Sequence, residues 1–74
     1  MISDHEIAKQ VIDVLDDCSS RINETIRLVQ DHCSDEEFSS YRMAAGFIMG
    51  RIYTDIVAHI HHLHPDLEPP ELRE

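Results

Sequence analysis

The chain has 74 residues, and its 15 acids against 6 Lys and Arg give a formal net charge of −9 at pH 7. A chain of this length forms one small domain, whose core is marginal unless disulfides, a metal or a second copy of the chain support it. The strongly negative charge disfavours nucleic acids and anionic membrane surfaces as partners and leaves a basic protein as a candidate.

The first helix is predicted over residues 4–32. Ser3 is the expected N-cap, with Glu6 completing a capping box and Ile2 packing on Ile7 as a hydrophobic staple. Apolar residues then recur at steps of three and four, which is typical of one helix face: Ala8, Val11, Leu15, Cys18, Ile22, Ile26, Val29 and Cys33. The opposite side is charged and should face water: Lys9, Asp13, Asp16, Asp17, Arg21, Glu24 and Asp31.

A second helix is predicted over about residues 35–64. Ser34 and Glu37 repeat the capping box, and Asp35 and Glu36 place negative charge at the helix start, where the helix dipole is positive. The main apolar stripe consists of Phe38, Tyr41, Ala45, Ile48, Ile52, Ile56, Ile60 and Leu63. Other apolar residues widen it well beyond one face: Ala44, Phe47, Met49, Tyr53 and Val57.

These helices predict an all-α fold, an antiparallel two-helix hairpin, because the connection around Ser34 is too short for another arrangement. A single hairpin leaves part of the apolar second helix wet, so we expect two copies to associate into a four-helix bundle. Gly46 and Gly50 lie four residues apart, and each costs about 1 kcal/mol relative to alanine in a helix. A close crossing of helices would offset that cost. The predicted dimer interface is Ala45, Gly46, Met49, Gly50, Tyr53 and Val57.

The hairpin is expected to occupy residues 1–64 and to be followed by a proline-rich acidic tail, residues 65–74. Pro65 ends the second helix because proline disfavours helical geometry in the residue before it. We expect the tail to lie on the surface, with Leu67 folded back over the helix end.

Histidine is concentrated at the end of the second helix, as His59, His61, His62 and His64. Asp55, His59 and His62 share one face of a regular helix, and the hairpin brings His5 to the same end. A carboxylate and imidazoles are ligands that zinc or nickel accepts. The simpler interpretation is that these histidines are polar residues at a helix end, where positive charge is favourable. A metal-binding or metal-sensing bundle that uses His5, Asp55, His59 and His62 is the alternative function.

Two further patterns have simple structural interpretations. Cys18 and Cys33 lie too far apart on one helix for a disulfide, and Cys18 is expected to be a small buried side chain. Arg51 is expected to form an ion pair with Asp55, four residues later.

No motif for nucleophilic catalysis or phosphate binding occurs, and a hairpin has little concavity, so we expect that the protein is not an enzyme. No stretch approaches the roughly 18 apolar residues of a membrane span, and residues 1–6 lack the features of a secretory signal, so we expect a cytoplasmic protein. The predicted function is a small acidic protein–protein interaction module or regulator. It would act as a homodimer and present its acidic outer helix face to a basic protein.

Overall fold

The computed structural model describes residues 1–69, over which all regular secondary structure is helical. In chain order the segments are α1 His5–His32, α2 Asp35–Ile52, a π-helical turn Tyr53–Val57, α3 Ala58–Leu63 and a 3-10 turn Pro65–Leu67. The segments from α2 to α3 form one unbroken rod that runs antiparallel to α1. The molecule is therefore a helical hairpin, measuring 44 × 22 × 20 Å.

Both long helices start at a side-chain cap. Ser34 Oγ accepts a hydrogen bond from the Glu37 N–H at 3.1 Å, and Glu37 Oε1 accepts one from the Ser34 N–H at 3.2 Å, which confirms the predicted capping box. At α1 the N-cap is Asp4, whose carboxylate accepts a hydrogen bond from the Ile7 N–H at 3.0 Å. The prediction of Ser3 is therefore wrong by one residue. Aspartate caps a helix as well as serine does and adds a negative charge at the positive helix end.

The most deeply buried part of the hairpin lies at its open end, where α1 begins and α3 ends. Ala8, Ile12 and Ile60 form the core cluster there. Partly buried side chains pack around them: Ile2, Val11, Ile56 and Leu67. Leu67 thus folds back onto the helix end as predicted, whereas residues 70–74 of the predicted tail lie outside the described residues.

The π-helical turn changes which residues of the rod face α1. The Ala58 N–H donates to the Tyr53 carbonyl, five residues back, so this turn holds one residue more than an α-helical turn. The residues that follow are consequently rotated by about 100° relative to a regular helix. His61 and His64 become buried, while Leu63, predicted to end the apolar stripe, is 47% exposed.

Over residues 1–69, no helix is both long enough and apolar enough to cross a lipid bilayer.

Candidate functional site

The side of α2 that faces away from α1 is apolar and uncovered. Met43 is 76% exposed and Phe47 68%, and Ile48, on the flank next to them, is 54% exposed. We call these three residues the exposed apolar surface of α2. The residues that share this outward side are uncharged over about four helical turns: Ser39, Met43, Gly46, Phe47, Gly50 and Thr54. A solvent-facing helix side normally carries charge, so this side is a candidate contact surface.

The six residues of the predicted dimer interface do not share one surface. Ala45 and Val57 are only 4% and 7% exposed, since they pack in the chain's own core, and Met49 is half-buried. Gly46, Gly50 and Tyr53 are exposed. Ala45 and Val57 therefore offer little surface to a partner, because they lie on the side of the rod that faces α1.

The two glycines are not explained by packing within the hairpin. A Cβ atom built at Gly46 or at Gly50 would meet no atom within 4 Å, so α1 does not cross the rod at this point. Any helix that crosses close to the glycines is therefore not α1 of the same chain. A crossing with a second copy stays a prediction.

An ion pair lies at the margin of the exposed apolar surface of α2. Arg51 Nε and Nη2 each lie 2.7 Å from Asp55 Oδ2, as the spacing of four residues predicts. The hydrogen bond from Arg51 holds the pKa of Asp55 below its usual value. Both side chains remain exposed, so the pair adds little stability and leaves the charges available at the surface.

The outer side of α1 is acidic and exposed along its length. Every residue of the predicted charged face is accessible to solvent. At the turn, the hydrogen bonds from Ser34 lower the pKa of Glu37, so its carboxylate is ionised at neutral pH beside Asp35 and Glu36. The molecule thus has an acidic exterior on α1 and an apolar exterior on α2.

The histidines at the open end form hydrogen bonds that tie the two chain ends together. The His5 Nε2–H donates to Asp66 Oδ2 at 2.6 Å, which lowers the pKa of Asp66. His64 Nε2 lies 2.9 Å from the Ile2 carbonyl and its ring meets that of His5 edge to face at 5.3 Å. Ile2 itself has a φ of 59°, which is unfavourable for a β-branched residue, and its contact with His64 helps to hold that conformation.

The predicted metal ligands His5, Asp55, His59 and His62 are not brought together. Asp55 lies within the π-helical turn and His59 and His62 follow it, so their positions around the rod differ from those in a regular helix. His5 bonds to Asp66 instead. Among residues 1–69, no three His, Cys, Asp or Glu side chains are arranged to hold a metal ion. The zinc or nickel alternative therefore receives no support from the geometry of these residues.

Sequence reasoning did not find the buried histidines or the exposed thiol. His61 is buried with its Nδ1 lacking a hydrogen-bond partner, and its ring lies 6.4 Å from that of Tyr53. Cys18, predicted to be buried, is an exposed free thiol, because it lies on the flank of α1 rather than on the side that faces the rod.

Comparison of the chain with models of protein families, with curated proteins and with solved structures finds no match in any of the three.

Proposed function

We propose that this protein is a non-catalytic interaction module that works as a homodimer, two hairpins forming a four-helix bundle. The observation that carries the proposal is the exposed apolar surface of α2. Three large apolar side chains of one helix, Met43, Phe47 and Ile48, are each more than half exposed. Soluble monomers rarely leave contiguous apolar surface of this kind open, and such a surface is typical of a protein contact.

The small size of the core supports a second copy as the occupant. Only Ala8, Ile12, Ala45, Val57 and Ile60 are buried apolar residues among the described ones. A domain below about 80 residues rarely gains enough stability from one core, and association is one of the usual supplements. Dimerisation would bury the side chains that α1 leaves open and would add to the stability of each hairpin.

The acidic outer side of α1 supports a basic protein as the further partner of the dimer. Two chains together carry a formal charge of twice −9, and the charged face of α1 is exposed along the hairpin. A surface of one sign steers an oppositely charged partner toward itself and discriminates against acidic ones.

The test is the mass in solution of the native protein and of Phe47→Glu. We expect the native chain to sediment with twice its 8.6 kDa mass. The variant should sediment as one chain, because an unpaired carboxylate in an apolar contact is strongly unfavourable. Phe47 is 68% exposed in the single hairpin, so the substitution should leave the fold of the chain itself unchanged, as far-UV circular dichroism can verify.

Ser20→Glu is the matched control, because it adds the same charge at an exposed position of α1 beside Asn23 and Arg27. We expect this control to remain dimeric. A native protein that sediments as a single chain at all accessible concentrations would overturn the proposal.

A further inference from the structure

One hydrogen bond between the helices shows which of their flanks lie on the same side of the hairpin. Thr25 Oγ donates to the Ile22 carbonyl at 2.6 Å, so it accepts from the Tyr41 hydroxyl, also at 2.6 Å. The flank of α1 that carries Thr25 and the flank of α2 that carries Tyr41 are therefore on one side.

The α1 flank on this side is apolar away from the turn. Counting back from Thr25, Cys18, Val14, Val11 and Ile7 follow at helical spacing, so they share its side of α1. Val14 is 60% exposed, and a shallow groove lined by Ile7, Val11 and Val14 runs between them. Of this flank, Val11 packs partly against the core beside Ala8 and Ile12, whereas Ile7 and Val14 are exposed and are not part of that core.

The α2 flank on the same side continues the apolar surface toward the turn. Tyr41, Ala44 and Ile48 follow one another at steps of three and four. A groove at the turn shares Ala44 with a groove along α2, which in turn shares Phe47 and Ile48 with a third one that reaches Ile56. The grooves form one trough along the rod, and at the turn it is also lined by Val29 of α1 and by Cys33.

We propose that a second copy of the chain docks on the joint apolar face, defined by Ile7 and Val14 of α1 with Tyr41 and Ile48 of α2. This inference rests on the proposed homodimer and says which surface it uses. The contact includes α1, and it lies on the opposite flank of α2 from Gly46, which is two residues and hence more than a quarter turn away from Ile48.

Charge is the reason that the occupant is another copy. Most acids of α1 lie away from this face, since Asp13, Asp16 and Glu24 are more than about 100° around the helix from Cys18. Asp17, three residues after Val14, borders the face. The charges that border the joint apolar face are Asp17 and Arg21 on α1, the Arg51–Asp55 pair, and Glu36 and Glu37 at the turn. Four of the 15 acids of the chain thus border this face, and the others lie elsewhere. Two chains of charge −9 repel each other, so they approach best through the face that carries the fewest carboxylates.

The size of the face fits a stable dimer. One long side of a body of 44 × 22 × 20 Å has an area of about 970 Å². A standard protein–protein contact buries about 800 Å² on each partner. The outline of one side of the hairpin is thus large enough for such a contact, and the trough occupies the part of it that the rod forms.

The experiment compares three substitutions that each add one carboxylate. Val14→Glu and Ile48→Glu lie on the joint apolar face, and Gly46→Glu lies on the other flank of α2, in open space. We expect the first two to raise the dimer dissociation constant at least about tenfold, measured by sedimentation equilibrium, and Gly46→Glu to leave it unchanged. Val14→Glu is the most informative of the three variants, because a dimer contact made by α2 alone would not involve Val14.

The outcomes separate this inference from the proposed function. If Gly46→Glu dissociates the dimer and Val14→Glu does not, the joint apolar face is not the dimer contact. The proposal of a homodimer would still hold. A native chain that is monomeric throughout would overturn the homodimer itself.

A second measurement uses the native fold and does not depend on how the charged variants fold. In a Cys33→Ser background, Cys18 is the remaining thiol, and it lies on the α1 flank of the joint apolar face. Its reaction with a thiol reagent should slow as the protein concentration rises, because the second copy covers it. A rate independent of concentration across the dimerisation range would contradict the joint apolar face.

Discussion

At the residue scale, the Ser34–Glu37 pair shows how local chemistry starts α2 at a defined position. Ser34 Oγ and the Glu37 carboxylate satisfy each other's backbone N–H groups, which would otherwise lack partners at the helix start. The hydrogen bonds that the Ser34 N–H and hydroxyl donate to the Glu37 carboxylate lower the pKa of Glu37. A pKa that is lower in the folded chain than in the unfolded chain means that folding stabilises the ionised carboxylate.

This linkage predicts a pH dependence of stability. The contribution of Glu37 should be complete above the pKa of an unfolded glutamate, about 4.3, and should be lost as the pH falls through the lower folded pKa. Glu37→Gln keeps a capping side chain but does not titrate. The difference in free energy of unfolding between the native chain and this variant should therefore shrink from pH 6 to pH 3, as urea denaturation measures.

Glu36→Gln is the control for that comparison, because it removes one charge from the same turn of α2 without touching the cap. If the difference in free energy of unfolding between the native chain and Glu37→Gln stays constant down to pH 3, Ser34 does not stabilise the ionised Glu37 carboxylate.

The glycines illustrate the limit of reasoning from residue type. Their cost in a helix predicts that something passes close to them, and the structure shows that no part of the described chain does so. The type of residue indicates an unusual position but does not identify the neighbour.

At the element scale, the π-helical turn decides which side chains of the rod are buried. The isoleucines at 48, 52, 56 and 60 recur at strict steps of four, and such a step drifts by about 40° each time around a regular helix. Three steps accumulate about 120°, which one extra residue in the turn nearly cancels. The strict spacing was thus the one sequence signal for this turn.

Deletion of Thr54 tests this account. Thr54 is exposed within the π-helical turn, so its loss should convert that turn to regular α-helix and leave Val57, Ile60 and His61 facing α1. We expect cooperative thermal unfolding close to that of the native chain, followed by far-UV circular dichroism.

Deletion of Ser40, an exposed residue in the regular part of α2, is the matched control. It should rotate the two parts of the rod by about 100° relative to each other and expose one of them, with loss of the folded state. If both deletion variants unfold at temperatures close to that of the native chain, the π-helical turn does not decide which side chains of the rod face α1.

At the scale of the whole molecule, the hairpin separates charge from apolar surface. The acids of α1 face one way, and the joint apolar face and the exposed apolar surface of α2 face others. In the proposed dimer the apolar sides meet and the acidic sides remain outside. The acidic sides are then the surface that a basic partner would encounter first.

If the partner is a basic protein, its binding to this chain should weaken with added salt and should require acidic residues on the outer side of α1. Native protein should retain proteins from a lysate of the source cells at low salt and release them at high salt, because screening weakens attraction between exposed charges. The triple variant Asp13→Asn, Asp16→Asn, Asp17→Asn should retain much less. Quantitative mass spectrometry of the retained proteins measures both effects.

A second triple variant, Asp35→Asn, Glu36→Gln, Glu68→Gln, removes the same number of charges from positions outside α1 and serves as the control. Equal loss with both variants, or capture that is indifferent to salt, would argue against the outer side of α1 as the binding surface.

The sequence by itself determined the helical hairpin and the starts of its helices. Apolar steps of three and four, the cap at Ser34 and the short connection are local signals, and each acts within a few residues. The cap of α2 and the Arg51–Asp55 pair could be predicted for the same reason, whereas the cap of α1 is Asp4 and not the predicted Ser3.

Only the tertiary structure decided which sides of the helices are left open. The π-helical turn rotates the end of the rod, after which His61 and His64 are buried, and no single residue type predicts that rotation. The burial of Ala45 and Val57 and the exposure of Cys18 likewise depend on how α1 lies against the rod. A small change in helix phase moves every later side chain to another face, so surfaces follow from packing and not from local pattern.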